Sequence, residues 1–260
     1  MHAKRLLAHP LPKKRAESFS EALNDFIFDC RARLRPSTAD RYWYSLKTLD
    51  WKKLSDHKPV TEPNLLKALK VFYNWCVEQD RFDRNPYLGK QVVFGVRERV
   101  LSDEEIGAIW QYDHQPYSDI LKTLILTGQR RNQIWRFEQD WIEGDELTFP
   151  SSIMKGKKAH TIPLAGYSSY LYPYSFNSWS KAKVRIDKHV GFSDWVVHDF
   201  RRYFSTTMAR IGTPLHVTEQ IMDHRSTVSG VAAIYNRYSF LPEMKEALEK
   251  YEAHVHSIAT

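Results

Sequence analysis

The helical periodicity of this chain breaks at one stretch, NPYLGKQVVFGVRERV (residues 85–100). Before it, apolar residues recur at the spacing of amphipathic helices, and after it the pattern becomes mixed. Its proline and glycines disfavour a continuing helix. The break therefore predicts a linker at 93–100 that separates a helical domain at 16–92 from a second domain at 101–240. A chain of 260 residues is long enough for two hydrophobic cores.

The first domain is predicted to be all helical. In SFSEALNDFIFDCRARL, Ser18 and Glu21 have capping-box spacing before an apolar periodic run, which predicts a helix over 19–34 that stops at Pro36. STADRYWYSLKTLDW and TEPNLLKALKVFYNWCVEQD continue the helical pattern. Basic residues 1–15, ahead of this domain, are predicted to be a flexible leader. In the third segment, the residues predicted to share one apolar face are Leu65, Leu69, Phe72, Tyr73 and Cys76.

The second domain is predicted to combine helices with a small sheet. Ser102 and Glu105 form another capping box, and ILKTLILTGQRRNQIWRF predicts a buried helix, a Thr-Gly corner and a second helix. WIEGDELTFPSSIMKGKKAHTIPL predicts three short strands with turns at 143–145 and 155–158, and helices return from Trp179. The predicted fold class is mainly α with a small antiparallel β-sheet.

Composition excludes several classes of protein. Hydrophobic residues make up 42% of the chain, yet no run approaches the ~18 apolar residues of a membrane span. The basic N-terminus also lacks the apolar run of a signal peptide. Cys30 and Cys76 lie in apolar helical stretches, which predicts buried thiols in a reducing compartment. We therefore expect a cytoplasmic protein that has no membrane partner, no disulfide framework and no zinc site.

Charge is distributed unevenly along the chain. Residues 1–100 carry a net charge of +8, whereas residues 101–260 carry −1. This asymmetry predicts a basic module that binds a polyanion such as DNA, joined to a near-neutral module with another task. A solvated basic surface is the alternative. Arg41 and Lys47 are the candidate DNA contacts in the helical domain.

Four short stretches of the second domain share one chemistry, the binding of a small anion. HDFRRYF places His198 and Arg201 at i, i+3, so both side chains leave one helix face. TGQRRNQI places Arg130 after a glycine turn at a helix start, where a guanidinium and free backbone N–H groups can face a phosphate. Taken singly, each pattern also fits solvated surface residues.

The other two stretches add a lysine, a histidine and a tyrosine. MKGKKAHTIPL places Lys155 at a hairpin tip beside Lys157 and Lys158, two further candidate DNA contacts, although hairpin lysines are often only solubilising. IMDHRS places His224 at a helix end, eleven residues before Tyr235 in AAIYNRYSF. The order in which these residues occur is more specific than any single motif.

With these motifs in this order, the sequence resembles the tyrosine recombinases, the phage integrase family. The matching stretches are TGQR, KGKKAHTIPL, HDFRRYFST and GVAAIYNR, and the resemblance covers residues 101 to about 245. The first ninety residues are similar in pattern to the helical core-binding (SAM-like) domain of that family, which precedes a mixed α+β catalytic domain. We expect the chain to lack a counterpart of the family's separate arm-binding domain and to be a compact or truncated integrase.

The resemblance implies a role for each candidate residue. It makes Tyr235 the nucleophile, because the family's tyrosine follows the second histidine by about nine to twelve positions, whereas Tyr238 follows it by fourteen and is expected to pack. One departure is Gln133, three positions after Arg130, where the family has an acidic residue. The implied catalytic set is Arg130, Lys155, His198, Arg201, His224 and Tyr235.

The implied function is site-specific DNA recombination, in which DNA is cut and rejoined through a 3′-phosphotyrosine without cofactor or metal. The implied partners are double-stranded DNA attachment sites and further copies of the chain, as a tetramer on DNA. The tail at 241–260 is predicted to be an amphipathic helix that docks on a neighbouring protomer or packs in cis. Two alternatives stay open, namely a type IB topoisomerase-like enzyme and a DNA-binding protein that does not cut. A metal hydrolase is disfavoured because the sequence has no His-Glu-x-x-His motif.

Overall fold

A computed structural model describes residues 18–175, 178–224 and 238–259. These residues form two compact units that divide between Arg97 and Glu98, inside the stretch predicted as a linker. Across the described ranges, no helix is both long enough and apolar enough to cross a membrane.

The first unit is helical, and local sequence signals define its helix ends. The Ser18 hydroxyl accepts a hydrogen bond from the Glu21 amide N–H at 3.1 Å, as expected for the predicted N-cap. The prediction that Leu65 faces the core is wrong, because Leu65 is only half-buried and Leu66 is buried instead. Leu66 lies on the same face of the helix as Leu69 and the later core residues. The helices are α1 (Phe19–Arg33), α2 (Pro36–Leu46) and α3 (Pro63–Glu78), with a 3₁₀ turn at Leu54–Asp56.

Aromatic rings fill the core of the first unit. The rings of Phe19 and Phe26 both meet the buried Phe72 ring edge to face, with centroids 5.4 Å away. Cys30 and Cys76 are buried free thiols, as predicted. Burial raises the pKa of Cys30 to about 11 and that of Cys76 to about 12, so both stay protonated and act as small apolar groups.

The second unit is mainly helical and contains a three-stranded antiparallel sheet in the order β1–β2–β3. Thr148 and Thr161 face each other across β2 and β3, and their hydroxyls are hydrogen-bonded at 2.9 Å. The predicted fold class is therefore confirmed. The strands are β1 (Ile142–Glu143), β2 (Glu146–Phe149) and β3 (His160–Pro163). The helices described are α4 (Asp103–Trp110), α5 (Tyr117–Thr127), α6 (Arg131–Ile134), α7 (Trp179–Val190), α8 (Asp199–Arg210), α9 (Leu215–Ile221) and α10 (Leu241–Ile258), with 3₁₀ turns at Gln139–Trp141 and Gly166–Tyr170.

Helix α10 packs into the core of its own unit. Tyr251 is fully buried, its ring lies 4.7 Å from the Phe204 ring, and its hydroxyl donates to the Ile125 carbonyl at 3.2 Å. Of the two arrangements predicted for the tail, the described residues have the cis one. Tyr251 thereby ties together α5 and α8, the two helices that support the candidate site.

Candidate active site

A glycine corner after α5 sets the position of the first predicted arginine. Gly128 has φ +59°, a left-handed conformation that favours glycine, and a Cβ added there would lie 2.6 Å from the Phe204 ring. Arg130 follows at the N-cap of α6, where its amide N–H donates to Gln133 Oε1 at 2.9 Å. The predicted helix, corner and second helix are all present, although the second helix has only four residues.

Arg201 is buried beneath this corner. It lies on α8, is only 3% exposed, and donates from Nη1 to the Gly128 carbonyl and from Nη2 to the Met222 carbonyl. Burial, together with the neighbouring positive charge of Arg130, lowers the pKa of Arg201 to about 10. Arg201 therefore stays a cation at neutral pH but is poorly solvated. Among the described residues its Nε has no hydrogen-bond partner.

The C-terminal end of α9 is the point where the candidate side chains meet. The last carbonyls of a helix have no partner within the helix and must find one elsewhere. Here three consecutive carbonyls each accept hydrogen bonds from side chains of the site, at 2.9 Å for His160 and 2.8 Å for Arg201. The pairs are Gln129 and His160 with the Ile221 oxygen, Arg201 with the Met222 oxygen, and Arg130 with the Asp223 oxygen.

The two predicted histidines lie beside the arginines. His198 is the N-cap of α8, and His224 follows the end of α9. Partial desolvation lowers the pKa of both imidazoles, and the charges of Arg201 and Arg130 lower it further. At neutral pH both rings are therefore neutral, so each carries one N–H donor and one acceptor nitrogen.

His160 belongs to this site although the sequence motifs did not single it out. It is the first residue of β3, its Nε2 donates to the Ile221 carbonyl, and its ring stacks on Phe149 with a centroid distance of 6.0 Å. Burial lowers its pKa. Its only signal in the sequence is its place inside KGKKAHTIPL, two positions after Lys158.

The three predicted lysines are exposed on the connection between β2 and β3. Lys155 has no hydrogen bond or ion pair within the described ranges. Lys157 adopts φ +55° and helps the connection to turn, and Lys158 precedes the strand that begins at His160. The hydrogen bond from His160 holds the base of this connection beside the arginines, while Lys155 projects from its exposed part.

The predicted nucleophile, Tyr235, lies outside the described residues. Tyr238 is described and is 55% exposed, with its ring 4.9 Å from the Phe240 ring and its hydroxyl donating to Glu243 Oε2 at 3.3 Å. That hydrogen bond raises the pKa of the Tyr238 hydroxyl, which makes it a poorer source of phenolate.

The candidate DNA contacts of the first unit share one face, which runs along α2 to its C-cap, Lys47. Arg41, Tyr44 and Lys47 follow one another at intervals of three residues, and all three are exposed. The Lys47 ammonium lies 4.4 Å from the centre of the Tyr44 ring. An exposed aromatic ring between two cations is a surface suited to a nucleic-acid backbone.

Comparison with known sequences shows a likeness to a prophage integrase. No protein-family profile matches the chain. The prophage integrase IntZ of Escherichia coli K12 is 23% identical over 160 residues, which cover 53% of this chain and 39% of that protein. The matched stretch thus spans about two fifths of the length of this curated relative.

Comparison with solved structures identifies the fold. A lambda integrase dimer bound to a COC′ core site matches with a TM-score of 0.64 and 14% identity, over 81% of this chain and 96% of that one. A lambda integrase tetramer bound to a Holliday junction matches with a TM-score of 0.64 and 12% identity, over 88% of this chain and 83% of that one. The Tn1549 transposon integrase in complex with circular intermediate DNA matches with a TM-score of 0.55 and 14% identity, over 88% of this chain and 100% of that one.

This protein has the fold of the tyrosine recombinases. Together with the sequence likeness to a prophage integrase, the fold confirms the predicted resemblance to the tyrosine recombinase (phage integrase) family.

Proposed function

We propose that this protein is a site-specific DNA recombinase that cuts and rejoins DNA through a 3′-phosphotyrosine, with Tyr235 as nucleophile. The observation that carries this proposal is the meeting of Arg130 and Arg201 at the end of α9. Arg201 is buried, yet its Nε has no partner within the described residues. A buried unpaired N–H costs about 1–3 kcal/mol, and a phosphate oxygen would satisfy it.

In the proposed reaction, the phenol oxygen of Tyr235 bonds to phosphorus while the bond to the 5′-oxygen breaks. Negative charge gathers on the non-bridging oxygens, where Arg130 and Arg201 stabilise it through charge-assisted hydrogen bonds. These two cations would supply the positive charge that divalent ions supply in other phosphoryl transfers. The phosphotyrosine keeps the energy of the broken bond, so a 5′-hydroxyl can rejoin the strand without ATP.

Proton transfers complete the step. Lys155 donates a proton to the leaving 5′-oxygen, and its place on an exposed connection lets it reach a DNA strand. The phenol proton goes to a neutral imidazole, for which the lowered pKa values of His198 and His224 are suited. The other imidazole donates its N–H to the phosphate.

Two kinds of partner follow from this proposal. The first is double-stranded DNA, which Arg41 and Lys47 contact from the first unit and Lys157 and Lys158 from the second. The second is the chain itself, as a tetramer on DNA that exchanges strands between two attachment sites, in the cytoplasm. Support comes from the matched lambda integrase structures, which are a dimer on a core site and a tetramer on a Holliday junction.

Covalent trapping tests the proposal. The chain is incubated with fragmented bacterial genomic DNA, washed in denaturing detergent, and the DNA that stays attached is sequenced. We expect adducts with wild type and with Tyr238→Phe, and none with Tyr235→Phe, although that variant should bind DNA with nearly unchanged affinity. Adducts that survive Tyr235→Phe but not Tyr238→Phe would reverse the assignment of the nucleophile.

The same experiment separates the two alternatives. Binding without adducts in wild type would favour a DNA-binding protein that does not cut. Adducts together with relaxation of supercoiled plasmid, but without strand exchange between two copies of the recovered sequence, would favour a topoisomerase-like enzyme.

A further inference from the structure

Arg130 is bound twice by a single residue from a distant part of the chain. Its Nη1 lies 2.9 Å from Asp223 Oδ2, and its Nη2 donates to the Asp223 carbonyl at 3.3 Å. The two residues are 93 positions apart. Their side chains are 30% and 35% exposed, so the ion pair is shielded from water on one side.

Asp223 also determines where the chain goes after α9. It adopts φ +50°, a left-handed conformation that aspartate tolerates better than most residues. The His224 amide then donates back to the Glu219 carbonyl at 2.9 Å, which closes the helix end. One residue therefore both holds the guanidinium of Arg130 and sets the direction in which His224 leaves the helix.

Gln133 does not hold the guanidinium. Its Oε1 accepts the Arg130 backbone N–H, and its Nε2 faces Gln129 Oε1 and Met154 Sδ, each at 3.3 Å. Gln133 is buried and neutral, so it brings no charge to the site. The negative charge beside Arg130 therefore comes from Asp223.

We propose that Asp223 is the positioning carboxylate of Arg130 in this chain and supplies, from the end of α9, the charge that position 133 lacks. This role rests on the proposed function, because it matters only if Arg130 faces a scissile phosphate. Asp223 keeps the guanidinium in one orientation, and its negative charge offsets the repulsion between Arg130 and Arg201.

If Asp223 has this role, loss of its charge should affect DNA affinity and cleavage rate differently. Removing the negative charge of Asp223 leaves the surroundings of the phosphate more positive, so DNA should bind at least as tightly. Arg130 would lose its fixed orientation, however, and a displacement of about 1 Å in such a group can slow a reaction by about 100-fold. A purely structural defect would instead weaken both binding and cleavage.

Asp223→Asn is the test variant, because asparagine has the same shape and also tolerates the left-handed conformation. Asp145→Asn is the matched control, since Asp145 also pairs with a cation of the second unit, Lys245, but on an exposed surface. The substrate is the duplex recovered by covalent trapping. We expect single-turnover cleavage by Asp223→Asn to be about 10- to 100-fold slower than wild type, with an equal or lower Kd, and the control to match wild type.

A second measurement does not depend on cleavage. The pKa values of His160 and His224 are lowered overall, and the negative charge of Asp223 partly offsets that lowering for both. In NMR titrations of the two imidazoles, Asp223→Asn should therefore lower both pKa values, and Asp145→Asn should not. Unchanged values would overturn the placement of the carboxylate.

The outcomes distinguish this inference from the proposed function. If wild type forms adducts and Asp223→Asn cleaves at the wild-type rate, the positioning role is overturned while the recombinase proposal stands. If wild type forms no adducts, the proposed function fails, and the NMR titrations alone decide whether Asp223 lies where its carboxylate can orient Arg130. A parallel loss of affinity and rate in Asp223→Asn would also overturn the positioning role.

Discussion

His160 Nε2 lies 2.9 Å from the carbonyl oxygen of Ile221, 61 positions later in the chain. This hydrogen bond joins the first residue of β3 to the last residue of α9. Because Lys155 precedes β3 and His224 follows α9, the bond couples the two segments that carry these candidate residues. A carbonyl can only accept, so His160 holds its proton on Nε2 in the neutral form.

We expect the second unit to lose stability in mild acid. The pKa values of His160, His198 and His224 are all lowered by folding, so below about pH 6.5 the unfolded chain binds more protons than the folded one. The histidines' contribution to the free energy of unfolding is therefore present above about pH 6.5 and is lost as the pH falls through the folded pKa values. Urea unfolding at several pH values measures the loss.

His160→Gln should reduce this pH dependence, because glutamine can still donate to Ile221 but does not titrate. His189→Gln, on an exposed part of α7, is the matched substitution outside the site. Equal pH dependence in both variants would contradict the contribution of His160.

Gly128→Ala should destabilise the second unit more than Gly144→Ala. Both glycines have nearly the same left-handed φ, +59° and +57°, so each substitution costs about 1–2 kcal/mol of backbone strain. Only at position 128 does the added methyl group meet Phe204, and overpacking of this kind adds about 1–3 kcal/mol. The difference between the two variants in chemical denaturation isolates the contact. Equal losses of stability in the two variants would show that the Phe204 ring moves aside without cost.

Tyr251→Ala should destabilise the second unit by about 3–5 kcal/mol, because it empties a core position, while Tyr251→Phe should cost about 1 kcal/mol for the lost hydrogen bond. Thermal unfolding in the absence of DNA, at low and high protein concentration, measures both. If α10 were needed only for contact with a neighbouring protomer, Tyr251→Ala would have no effect at the lower concentration.

Lys155→Ala should cleave ordinary DNA slower by a factor of about 10² to 10⁴, since it loses a general acid. A substrate with sulfur in place of the bridging 5′-oxygen should restore the rate, because a thiolate with a conjugate-acid pKa of about 8.5 leaves without a proton. Arg130→Ala should show no such rescue, since its charge acts on the non-bridging oxygens. If Lys155→Ala stays slow on the sulfur substrate, the acid must be sought at Lys157, Lys158 or a histidine.

Arg41→Ala and Lys47→Ala should each lower the salt dependence of DNA binding. Each phosphate contact contributes about −0.9 to the slope of log affinity against log salt concentration. Fluorescence anisotropy with a labelled duplex of random sequence measures the slope. Arg33→Ala is the control, because the Arg33 guanidinium is paired with Asp29 within α1. An unchanged slope in the α2 variants would remove this face from the DNA-binding surface.

The local features of the fold were predictable because they join residues close in sequence. The Ser102 hydroxyl accepts from the Glu105 amide N–H and the Glu105 carboxylate accepts from the Ser102 amide N–H, as the capping-box spacing predicted. The corner at Gly128 was signalled by the residue type, since only glycine accepts that backbone without strain. The role of Tyr235 stays a prediction from family resemblance, because it lies outside the described residues.

The sequence by itself determined the helices, the small sheet and the types of residue available for the site. Tertiary structure alone decided which of these residues meet. The contacts of Asp223 and His160 could not be predicted from local patterns, because their partners lie 93 and 61 positions away. The sequence places Arg201 in a predicted helix, α8. Only the packing of α8 against α5 and α9 buries Arg201 and directs its N–H donors to backbone carbonyls. Buried polar groups must be paired, and the partners within reach are determined by how distant elements pack.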